Sequence, residues 1–300
     1  MTYRRKKYVD IASGKLWLRI LDTIEDAREV VRLQQEIWGY GRSGADFPYP
    51  ARALFAISRS GGHVALACTD GVAVGFSLAW PGLNLTSQET YLHSQLMGVR
   101  KASRYSGIGQ ELKLFQRDFA LTQNLNLIRW TFDPMRSVNA NLNLQKLGVL
   151  VTEFEHDYYG SIPNNINSGL ATDRLWAEWY ITSERVQTYS QKHVAEVLQE
   201  SPLTELTTVK QDEFGDPYLS DFILGGKQSE YCVQIPTEFE SILNTNRELA
   251  LDWQEKIRRI FQFYLNSGYV ITDFLIRPGP PLQAFYVISR QPLEVLLGKR

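Results

Sequence analysis

The sequence predicts a mixed α+β (α/β) fold, and three observations carry that prediction. Apolar runs with the period of a helix alternate along the chain with runs that read as strands. Two continuous apolar runs, HVALACT and VAVGFSLAW, flank Asp70-Gly71, a dipeptide suited to a tight hairpin. A further strand, YLHSQLMGV, leads through a glycine-containing loop into an amphipathic helix, so strand-helix-strand crossovers follow the antiparallel hairpin.

The elements follow in order. LWLRIL is a short strand, and IEDAREVVRLQQEIW is a helix with acids in its first turn and Val30, Leu33 and Ile37 at helical spacing. After Pro48 and Pro50, ARALFAISRS makes a second helix that Gly61-Gly62 stops. The hairpin and YLHSQLMGV come next. The helix in RYSGIGQELKLFQRDFALTQ aligns Leu112, Phe115 and Phe119. NLIRWTFDP is then a strand, SVNANLNLQKLG a helix and VLVTEFEHDYYG a strand. A Gly/Asn-rich loop, SIPNNINSGLATD, precedes the strand RLWAEWYIT. The order β-α-α-β-β-β-α-β-α-β-β implies a mixed sheet with helices on both faces and fits no dinucleotide-binding order. From Glu184 the pattern restarts with the helix QKHVAEVLQES and strands around LTTVKQDEF, YLSDFIL and YCVQIP. A helix over 246–266 closed by Gly268 and the strands YVITDFLIR and QAFYVIS, joined at Pro278-Gly279-Pro280-Pro281, complete it. Residues 1–183 therefore read as one domain and 184–300 as a smaller α+β companion.

Composition narrows the function. A 300-residue chain with 44% hydrophobic and 22% charged residues is globular, and a net charge of -1 provides no basic field for nucleic acid. The basic start, MTYRRKKYVDIASG, is followed by no apolar h-region, and no uninterrupted apolar run reaches about 18 residues, so a cytoplasmic chain without a membrane partner is expected. Arg4, Arg5, Lys6 and Lys7 read as a solvated tail. Cys68 and Cys232 stand alone in strand-like runs, as buried thiols do. His63, His93, His156 and His193 are too scattered for a metal site, and no metal is expected. GxSxG, Walker and CxxC signatures are absent.

The chemistry then falls to Arg104-Tyr105-Ser106-Gly107-Ile108-Gly109. Its glycines let backbone N–H groups turn toward an anion at a helix N-terminus, although a plain turn would look the same. This RxxGxG, five residues beyond a strand ending in LMGV, resembles the acyl-CoA-binding motif of the GNAT acetyltransferase superfamily. ANLNLQKLGV resembles that superfamily's later helix, and the element order resembles its fold over residues 16–183, a resemblance that implies a mostly antiparallel sheet. TFDPMRSVNANLNLQKLGV, DYYG and TDRLWAEW are similar to a bacterial branch with an added C-terminal region, some members of which are linked to N-succinylation of amino acids.

The resemblance implies an enzyme that moves an acetyl or succinyl group from acetyl-CoA or succinyl-CoA to the amine of a small molecule such as an amino acid. Alternatives are acetylation of protein lysines or N-termini, and a non-catalytic CoA-binding scaffold; a homodimer is allowed. Met97, Gly98 and Val99 would lend backbone groups to the pantetheine arm, and the Arg104–Gly109 loop would take the pyrophosphate. The superfamily's histone-modifying branch has a Glu base eleven residues ahead of RxxGxG. That position is His93 here, with Glu89 and Glu155 as lesser candidates. The usual acid, a Tyr, is replaced by Leu144, so Tyr158 or Tyr159 on the next strand stands in, or the thiolate leaves unaided. Arg174 and Arg52 could grip a substrate carboxylate; Trp38, Trp176 and Trp179 either wall a pocket or belong to the core.

Overall fold

Strand formation begins earlier than the sequence predicts in the computed structural model, which describes residues 6–11, 14–39, 49–104, 106–160, 169–191 and 203–298. Strand β1 (Lys6–Ile11) pairs antiparallel with β2 (Gly14–Ile20), Val9 opposite Leu16. Lys6 and Lys7 are therefore strand residues and not tail. Lys7 lies 3.4 Å from the carboxylate of Glu111, and the amine of Lys6 is 5.8 Å above the Trp17 ring. Val9 and Ile11 share the Lys7 face of the strand and pack on the core, which is what draws the segment into the sheet. Arg4 and Arg5 lie outside the described residues.

Helix α1 (Ile24–Trp38) starts at a capping box in which Thr23 Oγ1 accepts from Asp26 N and the Asp26 carboxylate accepts from Thr23 N. Helix α2 (Ala51–Arg59) precedes the hairpin of β3 (His63–Thr69) and β4 (Val72–Leu83). There Asp70 (φ 48°) and Gly71 (φ 78°) both take the left-handed region that such a turn requires. Strand β5 (Thr90–Val99), α3 (Ile108–Thr122) and β6 (Leu127–Phe132) complete the series. Strands β1 to β5 form an antiparallel series in chain order, and β6 pairs parallel to β5. Ala27, Val30, Leu33 and Leu54 of α1 and α2 cover one face through Leu66, Phe76 and Leu78, while Ile108, Leu112 and Phe115 of α3 cover the other through Leu16, Leu18 and Val74. With both faces covered, β3 is buried along nearly its whole length, and its apolar run is continuous and not alternating.

The chain forms two compact units, Met1–Trp130 with Ser161–Gly169, and Thr131–Gly160 with Leu170–Arg300. In the second, α4 (Ser137–Ala140) continues through a wider π-type turn over Asn141–Lys146 before β7 (Leu150–Glu155) pairs antiparallel with β8 (Arg174–Tyr180). The strand expected to run through DYYG stops at Glu155. His156 to Tyr159 form a turn, so Tyr158 and Tyr159 lie on that turn, after the strand.

Beyond α5 (Glu184–Gln191) come β9 (Thr204–Glu205), a hairpin of β10 (Thr207–Gln211) and β11 (Pro217–Phe222), and β12 (Glu230–Ile235). Helices α6 (Phe239–Thr245) and α7 (Arg247–Asn266), strands β13 (Val270–Arg277) and β14 (Gln283–Ser289), and α8 (Leu293–Leu296) follow. Apart from Gln191, the helix expected over QKHVAEVLQES, His193 included, is outside the described residues. Strands β13, β14, β12 and β9 continue the sheet of β7 and β8, with Ile271 of β13 opposite Val151 of β7. Helix α7, capped by Asn246, buries Trp253, Ile257, Ile260, Phe261 and Tyr264. Cys68 and Cys232 are buried thiols; burial pushes the Cys232 pKa up to about 11. No described helix is long and apolar enough to cross a membrane.

Candidate functional site

Strand β5 pairs with β4 along its length, from Thr90 opposite Leu83 to Val99 opposite Gly75. A register shift leaves Gln95 without a residue opposite, between the pairs Ser94↔Ala79 and Leu96↔Leu78. Its pairing with β6 covers only Leu92↔Ile128 and His93↔Arg129. Past His93 the two parallel strands part. The β6-facing N–H and C=O groups of residues 95–99 are thereby left for some partner other than a strand.

His93 stands at the head of this fork, half-buried. Its ring is 5.4 Å from Trp80 and 6.3 Å from Tyr91, and its Nε2 donates to Gln95 Oε1 at 2.8 Å. Burial pulls its pKa below the ordinary histidine value; the Gln95 bond opposes that shift, and the positive charges of Lys113 and Arg129 add to it. A neutral ring with Nε2 donating carries its lone pair on Nδ1.

The strand then delivers the chain to the glycine loop. Arg100 N donates to Val74 O at 2.8 Å, Lys101–Ser103 make one 3₁₀ turn, and Ser106 Oγ donates to Ser103 O at 2.6 Å. Gly107 has φ 88°, and α3 starts behind it with no side-chain cap; a Cβ placed on Gly107 would meet nothing within 4 Å. Uncapped N–H groups beside open space at a helix start are what a pyrophosphate needs. Arg104 is exposed and extended, Ile108 is buried and so contributes backbone only, Gly109 is in the first turn of α3, and Tyr105 is outside the described residues.

Met97 and Val99 turn their side chains into the core under α3. A Cβ on Gly98 would come within 3.0 Å of Ile37 Cδ1 and Phe76 Cε1 and 3.1 Å of Trp38 Cη2, so α1 packs directly on that glycine. All three residues thus engage the core with their side-chain positions and keep only backbone for the fork. Trp38 meets Phe76 edge-on at 5.5 Å as part of the core, and Arg52 is exposed in the first turn of α2.

Within the second unit the structure brings together Tyr158, Tyr159, Arg174 and Trp176. Tyr158 is edge-on to Tyr159 at 4.6 Å and to Trp176 at 5.7 Å, the Arg174 guanidinium is 5.2 Å from the Tyr159 ring centre, and the Tyr159 hydroxyl is 3.2 Å from Thr131 Oγ1. The turn is pinned: Tyr159 N donates to Thr172 Oγ1 at 2.8 Å, and Asp157 Oδ1 accepts from Thr172 N at 2.9 Å. Asp173, 1% exposed, accepts from Arg258 Nε of α7 at 2.8 Å. Trp176 and Trp179 are buried, as is Leu144. Glu89 and Glu155 are exposed.

Sequence reasoning missed a buried polar group beneath the fork. Lys113, 2% exposed, donates from Nζ to Ser94 Oγ at 2.9 Å with that Nζ 3.5 Å from the Trp130 ring centre, and Ser94 Oγ donates to Gln116 Oε1 at 2.9 Å. The signal was faint: Lys113 and Gln116 sit three residues apart, flanking an otherwise apolar helix face.

No family model matches the chain, and no curated protein matches it. Among solved structures, an acetyltransferase of the GNAT family from Streptococcus pneumoniae aligns at 15% identity over 54% of this chain and 97% of that one, with a TM-score of 0.43. An N-acetyltransferase from Staphylococcus aureus Mu50 aligns at 13% identity over 54% and 96%, also with a TM-score of 0.43. A Salmonella typhimurium protein solved with its cofactor acetyl-CoA aligns at 14% identity over 60% and 96%, with a TM-score of 0.44.

Proposed function

We infer that the protein is an N-acyltransferase of the GNAT type, which takes acetyl or succinyl groups from acyl-CoA and passes them to the amine of a small molecule, an amino acid by preference. The observation that carries this reading is the continuity of one strand: β5 leaves β6 at His93↔Arg129, offers the backbone of residues 95–99, and runs through the loop to Gly107 and the uncapped start of α3. A pantetheine amide suits the first part and a pyrophosphate the second. The proposed grip is Met97, Gly98, Val99 and the loop from Arg104 to Gly109. Residues 1–183 would carry the chemistry and 184–300 accompany it, in the cytoplasm.

In the proposed reaction the amine nitrogen attacks the thioester carbonyl carbon, the C–S bond breaks, and the nitrogen loses a proton to His93 while CoA departs as thiolate. The thiolate takes its proton from water or from Tyr158 or Tyr159; the pair is proposed by chemistry alone, since Leu144 offers no hydroxyl. Arg174 is the proposed carboxylate grip, through its fork of donors, with Arg52 second and Trp38 as a wall. The buried Leu144 also favours a second reading, a scaffold that binds CoA without turnover.

Turnover separates the two. His93→Ala should lower acyl transfer at pH 7 by about a hundredfold. Because burial lowers the His93 pKa, the acid limb of kcat/KM in the parent enzyme should fall below the ordinary value of about 6.5. An unchanged rate for His93→Ala removes His93 as base, and no turnover with any acyl-CoA and amine leaves the scaffold.

A further inference from the structure

Strands β5 and β6 part immediately beyond His93↔Arg129, and the next residue on each strand is Ser94 on β5 and Trp130 on β6. Both touch one side chain. Lys113 reaches up from α3 to donate to Ser94 Oγ at 2.9 Å, and its Nζ lies 3.5 Å from the centre of the Trp130 ring. Ser94 passes the contact on to Gln116 Oε1, so a single buried chain ties α3 to both arms at the point of divergence.

We propose that Lys113 is a positioning residue for acyl transfer, a pin that holds β5 and β6 apart and fixes the stretch of β5 bearing His93; this rests on the N-acyltransferase reading above. Placing a lysine amine in an apolar interior is costly, and a leucine or methionine would pack there more cheaply. Among the described residues no carboxylate pairs with it, and the titratable rings that feel its charge are His63 on β3 and His93 on β5, the latter also acted on by Arg129 of β6. An ion pair is therefore not its purpose. Burial holds its pKa well below the ordinary lysine range, and in either protonation state the nitrogen keeps N–H bonds to donate to Ser94. What the amine does that an aliphatic chain cannot is join a hydroxyl on one strand to an indole face on the other.

Lys113→Met and Ser94→Ala test the pin from its two ends. Lys113→Met should keep the melting temperature or raise it and lower kcat about tenfold or more through misplacement of the reacting groups, with any rise in the KM for acyl-CoA smaller than the loss in kcat. Ser94→Ala should lower kcat alike, the double variant should be no worse than the poorer single one, and Ser94→Thr, which keeps the hydroxyl, should retain parental kcat. Unchanged kcat in both single variants, with only stability altered, overturns the proposal, as do losses that multiply in the double variant. Amide hydrogen exchange at residues 95–99 keeps this test separate from the enzyme reading. If the parent protein transfers no acyl group, the reading of function fails by itself; the pin still requires faster exchange in both variants, and unchanged exchange overturns it.

Discussion

His63 lies between Phe115 and Phe119, with Nε2 3.0 Å from Ser77 Oγ, and burial, helped by the charge of Lys113, pushes its pKa down to about 3. In the unfolded chain the same ring titrates near 6.5. Between those values the unfolded chain binds a proton that the native protein refuses. The contribution of His63 to stability is therefore complete above about pH 6.5 and drains away as the pH falls toward 3, by up to about 1.4 kcal/mol per pH unit. Denaturant unfolding from pH 7 to 4 should show a shallower decline for His63→Asn than for the parent; parallel declines would mean that the ring is charged in the native state. At this scale the sequence was informative only where a motif sets the count. His93 could be proposed because a fixed spacing from RxxGxG selects it. Lys113 was hidden because apolar periodicity reads Leu112, Phe115 and Phe119 as the inner face and assigns any adjacent lysine to solvent.

Among the elements, those that obey a local backbone rule were legible. Asp70-Gly71 closes its hairpin, and Gly107 adopts the left-handed conformation with open space around it. The second gives a direct prediction. Gly107→Val should cost roughly 1–2 kcal/mol from its φ alone and, beyond that, raise the KM for acyl-CoA severalfold or more, because the new side chain would occupy the space the loop leaves open. A variant that is less stable but has an unchanged KM would move the phosphate cradle elsewhere. The fork is written in no local pattern of β5 and was expected only through the resemblance, in which Met97, Gly98 and Val99 lend backbone groups; how far two strands stay paired depends on α3 and on the shift at Gln95. Nor was the end of β7: Tyr158 and Tyr159 favour strand by residue type, but Asp157 binds Thr172 and holds the chain in a turn instead. Strand β1 escaped because two lysines, a tyrosine and an aspartate leave only two aliphatic residues to carry a strand period.

For the molecule as a whole, the element order from LWLRIL to RLWAEWYIT was readable because each apolar run carries its own period and punctuation. That β13, β14, β12 and β9 share a sheet with β7 and β8 was not, because the pairing of Ile271 with Val151 joins residues 120 positions apart, and no local pattern records it. The central claim is that the strand-loop-helix of β5 and α3 grips acyl-CoA, and ligand-linked stability tests it directly. Thermal unfolding with CoA, acetyl-CoA, succinyl-CoA and ATP at matched concentrations should show stabilisation by the CoA compounds of about 2.7 kcal/mol at a hundredfold excess over the dissociation constant, a rise of several degrees, with ATP giving much less. Equal melting temperatures with and without every CoA compound would contradict the account and leave the loop as a turn between a strand and a helix.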